Sequence, residues 1–304
     1  MLVRLDGVFL PGVVMADGGL SIALMGIDGA GKSTLVSELR RALGAGGREV
    51  LPVTWESTVA SFDGDRTGYP MATLEMLGIE GWRLMYAAPA HPDLTAYEDI
   101  PRWLTEEGPR GMLDRLPADP VGGHQAALVT SALLEMTGHQ LIQAEVVMPA
   151  LARGAVTLCD GYGYKNVVKV LRMAQLMPGP FPAATLDMLL DCALRTFGDP
   201  FMQPDIGLLL DADAALTYGW RIAQERRLGP AEDLSLAGRP GRESYLEFQA
   251  GLAKEYRAAA EAWGWHLLPV DGRPQAQTVA EALDVVLADL PADRDRQTGA
   301  AATR

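Results

Sequence analysis

Apolar residues fall along this chain in short unbroken runs, separated by longer stretches in which they recur every three or four positions. Five runs have the length and Val, Leu and Ile content of buried strands: 21–26, 49–55, 155–159, 206–210 and 265–270. The periodic stretches predict helices over 34–43, 71–87, 125–148, 166–176, 183–197, 213–224, 243–263 and 277–290. Pro182 introduces the 183–197 helix, and Gly138 weakens the middle of the 125–148 helix, because glycine loses more backbone freedom there than alanine does. Strands alternating with helices predict an α/β fold, a five-stranded parallel sheet core with helices on both faces.

The pattern lapses in several places. Residues 1–20 read as a leader, with Leu2-Val3-Arg4-Leu5 a candidate short edge strand. Residues 56–70 turn polar around Asp63-Gly64-Asp65 and Gly68-Tyr69-Pro70 and read as a loop over an active site. Residues 88–120 are rich in Pro, Asp and Gly and read as an irregular excursion, so the stretch 56–150 is longer than a plain strand-to-strand crossover needs. A charged loop with Gly and Pro occupies 225–242, and the tail 293–304 is expected to be disordered. The expected organisation is one domain over 1–292, with an enlarged helical insertion at about 56–150 and a lid at about 221–242. No internal repeat stands out.

With 304 residues, 48% of them hydrophobic, the chain can bury a substantial core. Its net charge of -13 is the reverse of the basic field that nucleic-acid binders present, so no nucleic-acid partner is expected, although a small basic pocket can sit inside an acidic shell. Cys159 and Cys192 lack metal-ligand spacing or a disulfide framework, which points to a reducing cytosol and a cytoplasmic protein. The histidines, His91, His124, His139 and His266, are scattered. No apolar run is long enough to span a bilayer, so no membrane association is expected.

Chemistry enters at Gly26-Ile27-Asp28-Gly29-Ala30-Gly31-Lys32-Ser33-Thr34, which fits the phosphate-binding loop G-x-x-x-x-G-K-[ST] (Walker A) at every fixed position. A predicted strand precedes it and a predicted helix follows, the context in which glycine amides and a helix N-terminus turn toward phosphate oxygens. The fold expected from it is a P-loop NTPase three-layer α/β/α unit. Gly26, Gly29, Ala30, Gly31, Lys32, Ser33 and Thr34 are the expected seat of ATP, with Lys32 on the β and γ phosphates and Ser33 on Mg²⁺. A carboxylate facing phosphates is costly, so Asp28 is expected to turn toward an acceptor hydroxyl.

Asp160 directly follows the 155–159 strand, where α/β sheets bind ligands; it reads as a Mg²⁺ or acceptor ligand, or else as a cap for the next helix. Asp211 reads more simply as a helix-entry cap. Glu56, just past the second strand, is a candidate general base or an ordinary loop carboxylate. Arg221, Arg226 and Arg227 gather where a lid would begin and suit neutralisation of a transferring phosphoryl group; Arg221 can alternatively pair with Glu225. Tyr162, Tyr164 and Lys165 suit base stacking and phosphate binding, with packing an equal competitor, and Trp55 and Phe62 are candidate acceptor walls. Met71, Met76 and Met85 read as packing residues.

These residues resemble the thymidylate kinase family. Met25 through Thr34 is very close to that family's phosphate loop, and its acidic loop residue, which addresses the acceptor sugar, falls on Asp28. Cys159-Asp160-Gly161-Tyr162 lies where the family has an Asp-Arg-aromatic sequence, and Pro204-Asp205 through Asp211 resembles its Pro-Asp-strand-Asp segment. Arg221 through Arg227 lies where its lid begins, and Phe248 and Tyr256 match its late pattern. The chain departs from the family at Gly161, where an arginine would bind the acceptor phosphate, and at Thr54-Trp55-Glu56-Ser57-Thr58, where an Arg-Glu-Pro-Gly-Gly-like segment is usual. Lys165, Arg66 and Arg83 are the candidate replacements.

The resemblance implies Mg²⁺-dependent transfer of the ATP γ-phosphoryl group to a thymidylate-like nucleoside monophosphate, by a homodimer. The alternatives are a hydroxyl-directed kinase of a nucleoside or other small metabolite, using Glu56 as base, and a nucleotide-binding ATPase or interaction protein.

Overall fold

A computed structural model of the protein describes residues 4–5, 8–9, 19–45, 47–55, 57–58, 70–86, 124–225, 228–229 and 231–289. All five expected strands form one sheet: β3 (Leu20–Gly26), β4 (Val50–Val53), β5 (Val156–Asp160), β6 (Ile206–Ala212) and β7 (His266–Val270). Their order is β4-β5-β3-β6-β7 and every pairing is parallel. The edge strand expected at 2–5 lies elsewhere: β1 (Arg4–Leu5) pairs antiparallel with β2 (Val8–Phe9) in a separate two-stranded ribbon.

Burial on both faces explains the apolar run of the central strand β3, whereas the edge strands β4 and β7 are partly exposed. The seven residues of β3 are all buried, and its one polar member, Ser21, is satisfied at once. Its backbone N–H and its hydroxyl both donate to Asp205 Oδ2 at 2.7 Å, and Asp205 N–H donates back to Ser21 Oγ at 2.8 Å. Pro52 and Pro269 fall on β4 and β7, the two edges, where a missing N–H leaves the ladder intact.

The helices are α1 (Lys32–Ala45), α2 (Met71–Tyr86), α3 (Gln125–Ile142), α4 (Met148–Ala152), α5 (Gly163–Gln175), α6 (Ala183–Gly198), α7 (Ala214–Glu225), α8 (Arg242–Trp263) and α9 (Gln275–Asp289). The chain leaves β3 toward one edge through α1 and later crosses back past β3 toward the other. Right-handed crossovers then put the connecting helices on opposite faces. Accordingly α1 and α9 touch each other and the sheet, while α8 covers β3, β6 and β7 and carries α5, which carries α3 and α6. The result is the three-layer α/β/α arrangement.

The expected 125–148 helix runs straight through Gly138 and departs from α geometry only at a π turn, Gln143–Val147, before α4. Gly138 is a notch rather than a weak point. A Cβ there would sit 1.8 Å from Trp55 Cη2 and 2.2 Å from Cζ3, so the indole occupies the space a side chain would need. Met71 is buried and Met85 packs on the core, as the packing reading expects, but Met76 is 69% exposed. Among the described residues no helix is long and apolar enough to cross a membrane.

Candidate functional site

The loop 26–34, read from the sequence as a candidate phosphate loop, leaves β3 at the point where the chain's crossovers diverge to the two sides of the sheet. Such switch points open a crevice beyond the strands' carboxyl ends. Gly29 and Gly31 take φ of +83° and +92°, and α1 begins at Lys32, so the loop ends on a helix N-terminus. Lys32 Nζ folds back over the loop and donates to Gly26 O at 3.0 Å and Ile27 O at 2.8 Å. Burial lowers its pKa from 10.5 to about 7; nearby Lys165 pushes the same way, against the pull of Asp28 and Asp160. Ser33 and Thr34 are exposed. A polar cavity of about 320 Å³ opens on the loop, and its wall brings together Asp28, Lys32, Ser33, Asp160, Lys165 and Arg221.

Asp28 is the most heavily held group there. Lys165 Nζ donates to its Oδ1 at 2.7 Å and Lys169 Nζ to its Oδ2 at 3.0 Å, both from α5. From α8, Gln249 Nε2 donates to Oδ2 at 3.3 Å, Gln249 Oε1 accepts from the Asp28 N–H at 3.2 Å, and the Tyr245 hydroxyl donates to the Asp28 carbonyl at 2.8 Å. Burial alone raises the carboxyl pKa. The ammonium groups of Lys165, Lys169 and Lys32 outweigh it and hold Asp28 well below the usual carboxylate range. The sequence expectation of an Asp28 turned to an acceptor hydroxyl thus meets a carboxylate engaged by two lysines.

Asp160 ends β5 and faces two cavities at once. The second, about 290 Å³, is walled by Trp55, Leu77, Trp82 and Met85 on one side and by Glu135, His139, Asn166 and Lys169 on the other. The two cavities share Asp160, Gly161 and Asn166. Trp55 is fixed in this wall by its Nε1, which donates to Leu74 O at 3.1 Å. Glu135 Oε1 accepts from Asn166 Nδ2 at 2.9 Å and lies 3.2 Å from His139 Nε2. Burial opposes ionisation of Glu135, but His139, Asn166 and Lys169 together lower its pKa. The described helices of the 56–150 stretch, α2 and α3, thus both contribute to the lining of this cavity.

Arg221, on α7, lines the polar cavity with its guanidinium forked onto Glu232, Nε donating to Oε2 at 2.9 Å and Nη2 to Oε1. Asp211 is not the helix-entry cap. That role belongs to Asp213, whose Oδ1 accepts from Ala215 N–H at 2.8 Å and Leu216 N–H at 3.2 Å, while Asp211 pairs with Arg257 at 2.6 and 3.1 Å. Tyr162 and Tyr164 belong to the core. The Tyr162 hydroxyl donates to Phe197 O and Met202 O, and the Tyr164 ring meets Trp263 edge-on. Arg83 binds Glu80 on its own helix. Glu56, Arg226 and Arg227, like Phe62 and Arg66, lie outside the described residues.

Sequence reasoning missed Glu135, His139, Asn166, Lys169, Glu232 and Gln249. Only the i,i+4 spacing of Glu135 with His139 and of Lys165 with Lys169 hinted that each pair shares a helix face.

No family model matches the chain. Over 147 residues, 48% of this chain and 64% of the relative, it is 31% identical to the thymidylate kinase of Solidesulfovibrio magneticus (strain ATCC 700980 / DSM 13731 / RS-1). The match thus spans 64% of that kinase's length. Among solved structures, the chain is similar to a deoxyadenosine kinase from M. mycoides with the products dCMP and a flexible dCDP bound. The identity is 13%, the coverage 88% of this chain and 98% of that one, and the TM-score 0.43. The partial sequence similarity supports a relationship to small-molecule kinases at the level of the superfamily.

Proposed function

We propose that the protein transfers the γ-phosphoryl group of Mg·ATP to a small acceptor, and that this acceptor is a thymidylate-like nucleoside monophosphate. The observation that carries the reading is two cavities of opposite character meeting at Asp160, Gly161 and Asn166. One is polar and opens on the phosphate loop. The other is walled by two indoles and suits a flat ring. The resemblance and the partial similarity to a thymidylate kinase support the nucleotide acceptor.

The residues present fit Mg·ATP. Gly29 and Gly31, at positive φ, turn the loop backbone toward the cavity, and Lys32, at the N-terminus of α1, is already bent over it. Among the described residues no cluster of three or more His, Cys, Asp or Glu gathers to hold a metal. Magnesium does not need one, because it keeps several waters and takes phosphate oxygens plus one or two protein ligands. Ser33 and Asp160 are the candidates for those ligands. When bound, Mg²⁺ would neutralise charge on the β and γ phosphates.

The chain's own residues would then position and enclose. Lys32 would exchange two loop carbonyls for phosphate oxygens. Arg221 would leave Glu232 and present its planar fork to the transferring group, as the first of the lid residues 221–242. Asp160 would orient the acceptor between the cavities, and Trp55 and Trp82 would close over its ring and exclude water. No covalent intermediate is required. A single 1–292 unit with the 56–150 stretch on the acceptor side, working as a cytosolic homodimer, completes the proposal.

The test is incubation with Mg·ATP and a panel of nucleoside monophosphates, nucleosides and small hydroxyl metabolites, reading ADP release and product mass together. Phosphorylation of dTMP or a related monophosphate is expected, and Lys32→Ala should cut turnover by about 100-fold or more without loss of the fold. Product from unphosphorylated acceptors alone would move the assignment to the hydroxyl-directed reading with Glu56 as base. ADP release without product would favour an ATPase, and unchanged turnover in Lys32→Ala would refute the loop's role.

A further inference from the structure

Lys165 and Lys169 stand one turn apart on α5, and both ammonium groups close on the same carboxylate, Asp28, at 2.7 and 3.0 Å. Their side chains are 10% and 13% exposed, so this is an interior arrangement rather than a solvated face. The pairing sets two ammonium groups against one carboxylate, and the further carboxylates of Asp160 and Glu135 border the same two cavities. Lys32 adds a third amine to the same region, and Glu232 there is taken up by Arg221.

Both ammonium groups also keep unused hydrogen-bond donors. An ammonium carries three N–H donors. Among the described residues, each of these two donates to Asp28 alone. Lys165 faces the polar cavity and Lys169 the aromatic one. Their remaining donors therefore flank the wall where the cavities join. Asp28 fixes both amines in place, itself held by Gln249 and Tyr245, so little side-chain freedom remains to be lost when a ligand arrives. Between the cavities Gly161 carries no side chain, and a Cβ built there meets nothing within 4 Å, which leaves the passage open.

We infer that Lys165 and Lys169, held by Asp28, form an anion seat for a phosphate carried by the acceptor. Two ammonium groups on α5 thereby take the part that the family resemblance gives to an arginine at position 161. The seat's role in acceptor binding rests on the phosphotransfer reading; its capacity to bind phosphate does not.

Inorganic phosphate is the probe, titrated calorimetrically into two forms of the full-length protein. One is wild type saturated with Mg²⁺ and a non-hydrolysable ATP analogue, so that the loop is filled. The other is Lys32→Ala without nucleotide. Phosphate is expected to bind both in the millimolar range. Lys169→Gln should weaken it by roughly fivefold or more, and Lys169→Arg should hold it within about twofold of the parent, because a charged donor is restored. Circular dichroism of each variant checks the fold, and the arginine variant separates lost charge from lost structure. Absence of phosphate binding, or equal binding with and without the Lys169 charge, would overturn the seat. Should the ATP analogue fail to bind while Lys32→Ala still takes phosphate in a Lys169-dependent way, the seat stands and the phosphotransfer reading falls. Should transfer proceed while Lys169→Gln changes neither phosphate affinity nor acceptor KM, the reverse holds.

Discussion

Gly138→Ala sets two physical effects against each other at one atom. Helix propensity alone favours alanine over glycine in a helix interior by about 1 kcal/mol. Contact opposes it, because the new methyl would lie 1.8 Å from Trp55 Cη2 and 2.2 Å from Cζ3. Carbon atoms in good contact are about 3.5–4.0 Å apart, so the ring must move by well over an ångström. It has little freedom to do so. Its Nε1 donates to Leu74 O at 3.1 Å, and the same atom would be 2.7 Å from a Cβ at Gly78, so α2 backs the indole closely. Overpacking costs about 1–3 kcal/mol, and loss of the indole hydrogen bond about 1 kcal/mol more. Contact wins, and the expected net destabilisation is about 2 kcal/mol. Urea unfolding followed by far-ultraviolet circular dichroism reads it without relying on the tryptophan that moves. The decisive comparison is a double-mutant cycle with Trp55→Ala. In that background Gly138→Ala should recover its propensity gain and stabilise, a coupling of about 3 kcal/mol. Stabilisation by Gly138→Ala in the wild-type background, or additivity across the cycle, would refute the notch.

Three further outcomes are expected. With Lys32 near 7 in the ligand-free fold against 10.5 unfolded, the unfolded chain binds more protons between those values, so this group makes stability rise as pH climbs from about 7 to 10.5. A bound polyphosphate draws the proton back. ATP binding just above neutrality should therefore take up protons in calorimetry across buffers of different ionisation enthalpy, and Lys32→Ala should not; buffer-independent heats in wild type would contradict this. Asp213→Ala should cost about 1 kcal/mol by uncapping α7, while Asp211→Ala, which breaks a partly exposed pair, should cost under about 1 kcal/mol; thermal melts compare them, and a larger loss at Asp211 would reverse the assignment.

The five strands were legible because a parallel sheet with both faces covered demands continuous apolar runs, and β3 with its buried Leu20 to Gly26 is the plainest case. The strand–loop–helix geometry at 26–34 was legible because it is local: the glycines, Lys32 and the start of α1 are neighbours in the chain. What lay beyond local reach was which distant groups the loop would meet. Lys165 lies 137 residues from Asp28 and Gln249 lies 221 residues away, and no periodicity announces such pairings. Tyr162 and Tyr164 carried the composition of a ligand wall, yet the hydrophobic surface that suits a base also suits a core, and the core took them. The two aspartates at the end of β6 differ by two positions in sequence; only the backbone's path decides that Asp213 reaches the first amides of α7 and Asp211 does not. Gly138 was read through propensity, which concerns the helix alone, whereas its role concerns the indole opposite.

Trp55 and Trp82 both stand in the wall of the aromatic cavity, whereas among the described residues no tryptophan lines the polar one. Among the described residues, indole fluorophores thus border one of the two cavities and not the other. A ring entering beside the indoles displaces water from them and shifts their emission, while phosphate settling on the loop leaves that signal largely untouched. The two half-sites can be followed separately in unlabelled protein, and the order in which they fill becomes a question for a stopped-flow fluorimeter.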